Sequence, residues 1–268
     1  MIFQGVQEPE EVERKDCYRE KYVAFIDMLG FGQRVKASAH DPVERKAIIE
    51  AIEHLRSTAT PNPHVGLLIT YFSDCIVISA DETPRGLFCL FQAITFIADN
   101  LIQRDVLIRG GIAHGGMYHD DDLCFGPAMV AAYELESVHA DVPRILFDKR
   151  VESDADAYGF SPVWIIFDDK DPKQWRHLNY LLHYTAYDAV PRVGGLVQTE
   201  PAMLIRHYIA KRLVSPNEKV RTKGEWMRQY WDELVAINGV LPAIDIETDI
   251  EKPDAMPSKI KLYMMASK

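Results

Sequence analysis

Between Val65 and Ala80 the chain reads VGLLITYFSDCIVISA, sixteen residues of strand-like sequence interrupted by one carboxylate, Asp74. A typical strand has about five or six residues, and Ser-Asp is an acceptable tight-turn pair. The run therefore predicts a hairpin with Asp74 at its tip, on the edge of a sheet. The first strand is predicted at Lys21 to Met28 (KYVAFIDM), an apolar run that suits the buried centre of a sheet. Asp27 sits at its end, where an isolated carboxylate is costly unless paired, protonated or metal-bound.

The segments between these strands have helical periodicity. DPVERKAIIEAIEHLRST, about Asp41 to Thr58, opens with an Asp cap and Pro at the first helical position. Leu87, Leu90, Phe91, Ile94, Ile97, Ala98 and Leu101 mark one face of a helix from about Pro84 to Gln103. A strand is expected at Val106 to Gly115, a helix at about Pro127 to Val138 and a strand at Pro143 to Asp148. Beyond Val151, VWIIF and LNYLLHYTAY read as strands, and helices are expected at about Pro201 to Val214 and Asn217 to Ile237. Trp226, Met227, Tyr230, Trp231, Leu234 and Val235 share a packing face in the last of these.

This order predicts an α/β (α+β) fold with a ferredoxin-like antiparallel or mixed sheet. No repeat or linker divides the 268 residues, so one domain is expected over 1–268, with a core of about 18–190 and a C-terminal helical extension of about 200–240. In such a sheet the hairpin lies beside the first strand, and Asp27 and Asp74 form an oxygen-rich site suited to Mg²⁺ or Mn²⁺. Taken singly, each has a plainer reading: Asp27 caps a turn, Asp74 stabilises the hairpin. The LGFG segment, Leu29 to Gly32, reads as a turn whose glycines let backbone N–H groups approach phosphate oxygens.

The net charge of −10 opposes non-specific nucleic-acid binding, which needs basic surface. With no long apolar run and an acidic N-terminus, no membrane association and a cytoplasmic location are expected. The four cysteines have no metal-ligand spacing and read as free thiols.

FIDMLGF (Phe25 to Phe31), FSD (Phe72 to Asp74), RGGIAHG (Arg109 to Gly115) and GPAMVAAYELE (Gly126 to Glu136) occur in this order. In order and approximate spacing they resemble the class III nucleotidyl cyclase catalytic domain, over about Tyr18 to Val151. The resemblance implies that Asp27 and Asp74, with the Met28 carbonyl, hold two Mn²⁺ or Mg²⁺ ions over a nucleoside triphosphate. The 3′-hydroxyl then attacks the α-phosphate, and no dedicated general base is required. Arg109 is the leading candidate for positive charge near the phosphates, with Lys21, Arg34 and Lys170 behind it; an ion pair at a strand end is its structural alternative. Phe25, Leu29, Gly30, Phe31, Thr70 and Phe72 are the candidate substrate contacts. His114 reads as a core or hydrogen-bonding residue and Asp120-Asp121-Asp122 as a solvated loop tip.

The sequence departs from the purine cyclases. Thr70 and Leu123 stand where base-reading groups are expected, and Val130 and Glu134 where a transition-state Asn and Arg are expected. Phe25 and Phe72 would fill space that a purine needs. In its FIDMLGF opening and AYELE helix the chain resembles the pyrimidine cyclases of bacterial anti-phage signalling, the Pycsar cyclases. That resemblance implies UTP or CTP as substrate, a homodimer with composite sites, and cUMP (or cCMP) as a lyase product and alarm signal read by a separate effector. A threonine hydroxyl serves uracil or cytosine, so both bases stay open, UTP being the commoner implication. Val130 and Glu134 keep a second reading open: a cyclase-like nucleotide-binding module without turnover.

Overall fold

The computed structural model describes residues 17–167, 175–182, 192–193, 196–197, 200–238 and 242–251. The first strand, β1 (Arg19–Leu29), leads through α1 (Phe31–Ser38) and α2 (Pro42–Thr58) to the hairpin β2 (Leu68–Phe72) and β3 (Cys75–Asp81). Next come α3 (Pro84–Ile102), β4 (Leu107–His119), the short β5 (Cys124–Phe125) and α4 (Pro127–Glu134), which continues into a π-helical turn, Leu135–His139. Then follow β6 (Ile145–Phe147), α5 (Lys149–Ala157), α6 (Ser161–Trp164), β7 (Ile165–Phe167) and β8 (Arg176–Leu178). A two-stranded ladder, β9 (Arg192–Val193) and β10 (Leu196–Val197), precedes α7 (Glu200–Leu213), α8 (Glu218–Asn238) and α9 (Ile246–Asp249).

The main sheet runs β2-β3-β1-β4-β6-β8-β7, with β5 against β4. Among the described residues only β4 and β6 pair in parallel. The order β2-β3-β1-β4, with α2 and α3 as the crossovers, is the ferredoxin-like arrangement expected from the sequence. β1 lies between two strands and is buried on both faces from Tyr22 to Ile26, which is why its sequence is apolar without alternation.

The two faces differ. Tyr22, Ala24, Ile26, Ile76 and Ile78 point into the main core with the apolar stripe of α3, and every α3 stripe residue foreseen from spacing is buried there. The opposite face carries Val23, Phe25, Val77, Ala113 and Met117, covered by Ala128 and Ala132 of α4. The Asp41 carboxylate caps α2 by accepting from the N–H groups of Val43 and Glu44, and Thr83 caps α3 through Gly86. The C-terminal helices dock through buried polar atoms. The Tyr230 hydroxyl of α8 donates to Asn179 Oδ1 at 2.8 Å and accepts from the Leu181 N–H at 3.1 Å.

Three sequence expectations need correction. LGFG is not a free turn, because Gly30, at φ 78°, is the N-cap of α1, a helix the sequence reading missed. VWIIF splits between α6 and β7. Of LNYLLHYTAY only Leu178 lies in a strand, and the part from residue 183 is outside the described residues. Among the described residues α3 is long and apolar enough to cross a membrane on mean hydropathy, and 67% of its apolar window is buried in the protein.

Candidate functional site

Asp27 has Cys75 of β3 and Arg109 of β4 as its cross-strand neighbours. The three side chains therefore emerge side by side on the α4 face. Beside them is the hairpin tip, where Ser73 takes a left-handed φ of 52° and the Met28 N–H donates to the Asp74 carbonyl at 2.9 Å. That bond fixes the turn carrying one carboxylate to the strand end carrying the other. Asp74 is half-buried, and its carboxylate has no hydrogen bond or ion pair with a described residue.

Arg109 organises the charge. Its Nε donates to Asp27 Oδ2 at 3.0 Å, its Nη1 donates to the Ala140 carbonyl at 3.1 Å, and its Nη2 lies 2.7 Å from Glu136 Oε1. Glu136, 3% exposed, comes from the π-helical turn after α4. Burial pushes its carboxyl upward, Arg109 pulls it back down, and Asp27 adds to the rise. The Cys75 thiol is pushed up to about 11, first by burial and then by Asp27, Asp74 and Glu136. Burial and these three carboxylates thus keep the thiol protonated near neutral pH.

The donor set suits a hard cation. Among the described residues no group of three His, Cys, Asp or Glu side chains is placed to hold a metal. Mg²⁺ and Mn²⁺ do not need three when substrate phosphates and water complete the shell. Asp27 has Oδ1 outside its ion pair, and Asp74 is unengaged by any described residue.

The other sequence candidates divide. Phe25 and Phe72 are on the Asp27 face; Phe25 packs edge-on against Tyr133 at 5.3 Å and Phe72 is 46% exposed. The side chains of Leu29 and Phe31 pack in the main core, so they offer a ligand only backbone groups. Gly30 is uncrowded, with no atom within 4 Å of where a Cβ would stand. Thr70 is not free: its hydroxyl is 2.8 Å from His119 Nε2. Lys21 is spent on Asp81 at 2.9 Å and the Gly66 carbonyl at 3.2 Å, and Arg34 on Glu44 at 2.6 Å. His114 lies 3.2 Å from Glu82, and Lys170 is outside the described residues. Leu123, Val130 and Glu134 are exposed.

Sequence reasoning missed Glu136, His119 and Lys223. Glu136 continues the spacing of Ala128 and Ala132, so a carboxylate on the buried stripe of a helix was the available signal. Lys223 of α8 is half-buried, with no ion pair to a described residue. Its pKa is lowered by burial and then by Arg109, and Asp27 opposes the shift. A cavity of about 340 Å³ between α1, α2 and the end of α3, lined by Phe31, Ile48, Leu55 and Tyr208 among others, is on the other side of the sheet.

No protein-family model matches the chain, and no curated protein matches it. Among solved structures it is similar to that of a bacterial light-regulated adenylyl cyclase, with a TM-score of 0.40 and 14% sequence identity over 60% of this chain. The match spans 52% of that structure's chain, about half its length.

Proposed function

We propose that the protein is a metal-dependent nucleotidyl cyclase acting on a pyrimidine nucleoside triphosphate, UTP or CTP. What supports this reading is that Asp27 and the hairpin tip carrying Asp74 are at adjacent strand ends, Cys75 pairing with Asp27 and following Asp74, and are tied by the Met28–Asp74 backbone bond. In the reaction the 3′-hydroxyl oxygen forms a bond to the α-phosphorus, the bond from that phosphorus to the bridging oxygen breaks, pyrophosphate leaves and the hydroxyl proton passes to water. Mn²⁺ or Mg²⁺, held by Asp27, Asp74 and the Met28 carbonyl, would supply acidity at the hydroxyl and countercharge at pyrophosphate. Arg109 keeps Asp27 aimed rather than reaching for phosphate, and Lys223, which is coupled electrostatically to Asp27 and Arg109, is a further candidate cation for the phosphates. Phe25 and Phe72 on the same face favour a smaller base. The specificity, the cUMP alarm role in antiviral defence and the downstream effector rest on the resemblance of the motifs.

We also propose a homodimer, because the α4 face leaves Phe72, Val130 and Tyr133 exposed at 46%, 57% and 50%. A second copy covering that face would complete the site from its open side. The alternative reading, a nucleotide-binding module without turnover, is favoured by Glu134 and Val130 and by the full engagement of Arg109. Incubating the purified chain with each of the four nucleoside triphosphates and Mn²⁺, then resolving products by chromatography, separates the two. A cyclic pyrimidine product, lost in Asp27→Asn and Asp74→Asn, is expected. No cyclic product from any nucleotide would end the cyclase reading.

A further inference from the structure

His119, the last residue of β4, reaches over β1 to the hairpin. Its Nδ1 lies 2.8 Å from Ser79 Oγ on β3 and its Nε2 lies 2.8 Å from Thr70 Oγ1 on β2. Burial and the neighbouring Lys21 ammonium push its pKa down to about 4, against weaker upward pulls from Asp120 and Asp121. The ring is therefore neutral near pH 7, with one N–H and one lone pair. The two hydroxyls must then take opposite roles.

Ser79 decides which. It is 0% exposed, and its bond to His119 is its only hydrogen bond to a described residue. A buried O–H with no acceptor carries the full desolvation penalty, so Ser79 donates to Nδ1. The proton is then on Nε2, which donates to Thr70 Oγ1. Thr70 is half-exposed and makes no other hydrogen bond to a described residue, so its own proton turns outward.

Thr70 pairs with Val77, which pairs with Phe25, two residues from Asp27 on the same face. Two strand spacings and two residues of rise separate it from Asp27 by on the order of 12 Å. That span suits the base edge of a nucleotide whose α-phosphate is at Asp27. The geometry points to His119 as a positioning residue that presents the Thr70 hydroxyl as a donor, selecting a base with a ring carbonyl at its edge, the 4-oxo group of uracil, over the 4-amino group of cytosine. This assignment rests on the pyrimidine cyclase reading above and adds the base.

Two measurements on the full chain test it. ¹⁵N-histidine NMR at pH 7, with the signal identified by its loss in His119→Gln, should find the proton on Nε2; a proton on Nδ1 would overturn the assignment. In turnover, UTP should exceed CTP by at least about tenfold in kcat/KM. His119→Ala should bring that ratio toward one, chiefly through KM. His119→Gln, whose amide N–H replaces the Nε2 donor, should keep the preference, provided melts show both variants folded. If no triphosphate is turned over but UTP binds in preference to CTP, only the cyclase reading falls. Equal or reversed preference, in turnover or in equilibrium binding, or a ratio untouched by His119→Ala, would overturn the proposal.

Discussion

Arg109 holds two carboxylates, Asp27 and Glu136, that would otherwise face each other across a partly buried site. Replacing it with Ala removes the cation that pairs with both and should destabilise the protein by about 3 kcal/mol, the low end for breaking a buried pair. Arg109→Ala, Glu136→Gln should recover part of that loss in chemical denaturation, because one of the two carboxylates is then neutral; no recovery would mean that the guanidinium acts through the Ala140 carbonyl instead. His119 gives a pH signature. Its folded pKa of about 4 is below the ordinary 6.5, so the unfolded chain binds the extra proton between these values and stability falls as pH drops through that window. At pH 5 the loss relative to pH 7 should be on the order of 1–2 kcal/mol and absent from His119→Gln. Parallel pH profiles for the two proteins would contradict a buried neutral ring.

At the scale of elements, the RGG segment of β4 sets how closely the site's second wall approaches. A Cβ on Gly111 would stand 2.3 Å from the Ala132 carbonyl and 2.5 Å from Leu135 Cβ. Gly111→Ala must therefore lift the end of α4 and the π-helical turn from the sheet, taking Glu136 away from Arg109. Faster amide exchange across residues 127–139 and a lowered melt are expected, and an unchanged melt would show that the wall has room to give. The α8 helix contributes the opposite charge. Lys223→Ala should raise KM for the triphosphate about tenfold with less effect on kcat, and equal affinity with and without the lysine would remove α8 from the site. These elements also mark the limit of what sequence discloses. Asp27 and Asp74 were legible because a carboxylate inside an apolar strand run breaks a local pattern, and α2 and α3 because cap and stripe agree. Glu136, His119 and Lys223 were not, since each acts through long-range contacts that local periodicity does not encode. The helix α1 was hidden because a left-handed glycine cap and a free turn share one sequence pattern.

For the whole molecule the asymmetry of the sheet is what matters. One face is sealed by α2, α3 and the C-terminal helices, whereas the other has α4 over β1 and β4 and leaves Phe72, Val130 and Tyr133 exposed. The strand order was foreseeable from the alternation of strand and helix signals, but nothing in that alternation says which face stays open. If a second copy covers it, a charge at the centre of the patch should prevent association. Tyr133→Glu should sediment as a monomer with its melt within about 1 kcal/mol of the parent, since surface substitutions seldom cost more. It should lose turnover along with the dimer. Mixed with the inactive Asp27→Asn protein at high concentration, it should regain part of the activity, because heterodimers would hold one intact pair of carboxylates beneath one unaltered covering face. A parent protein that sediments as a monomer at the concentrations where it turns over nucleotide would show instead that each copy carries a complete site, with Lys223 and the chain's own helices supplying all the positive charge.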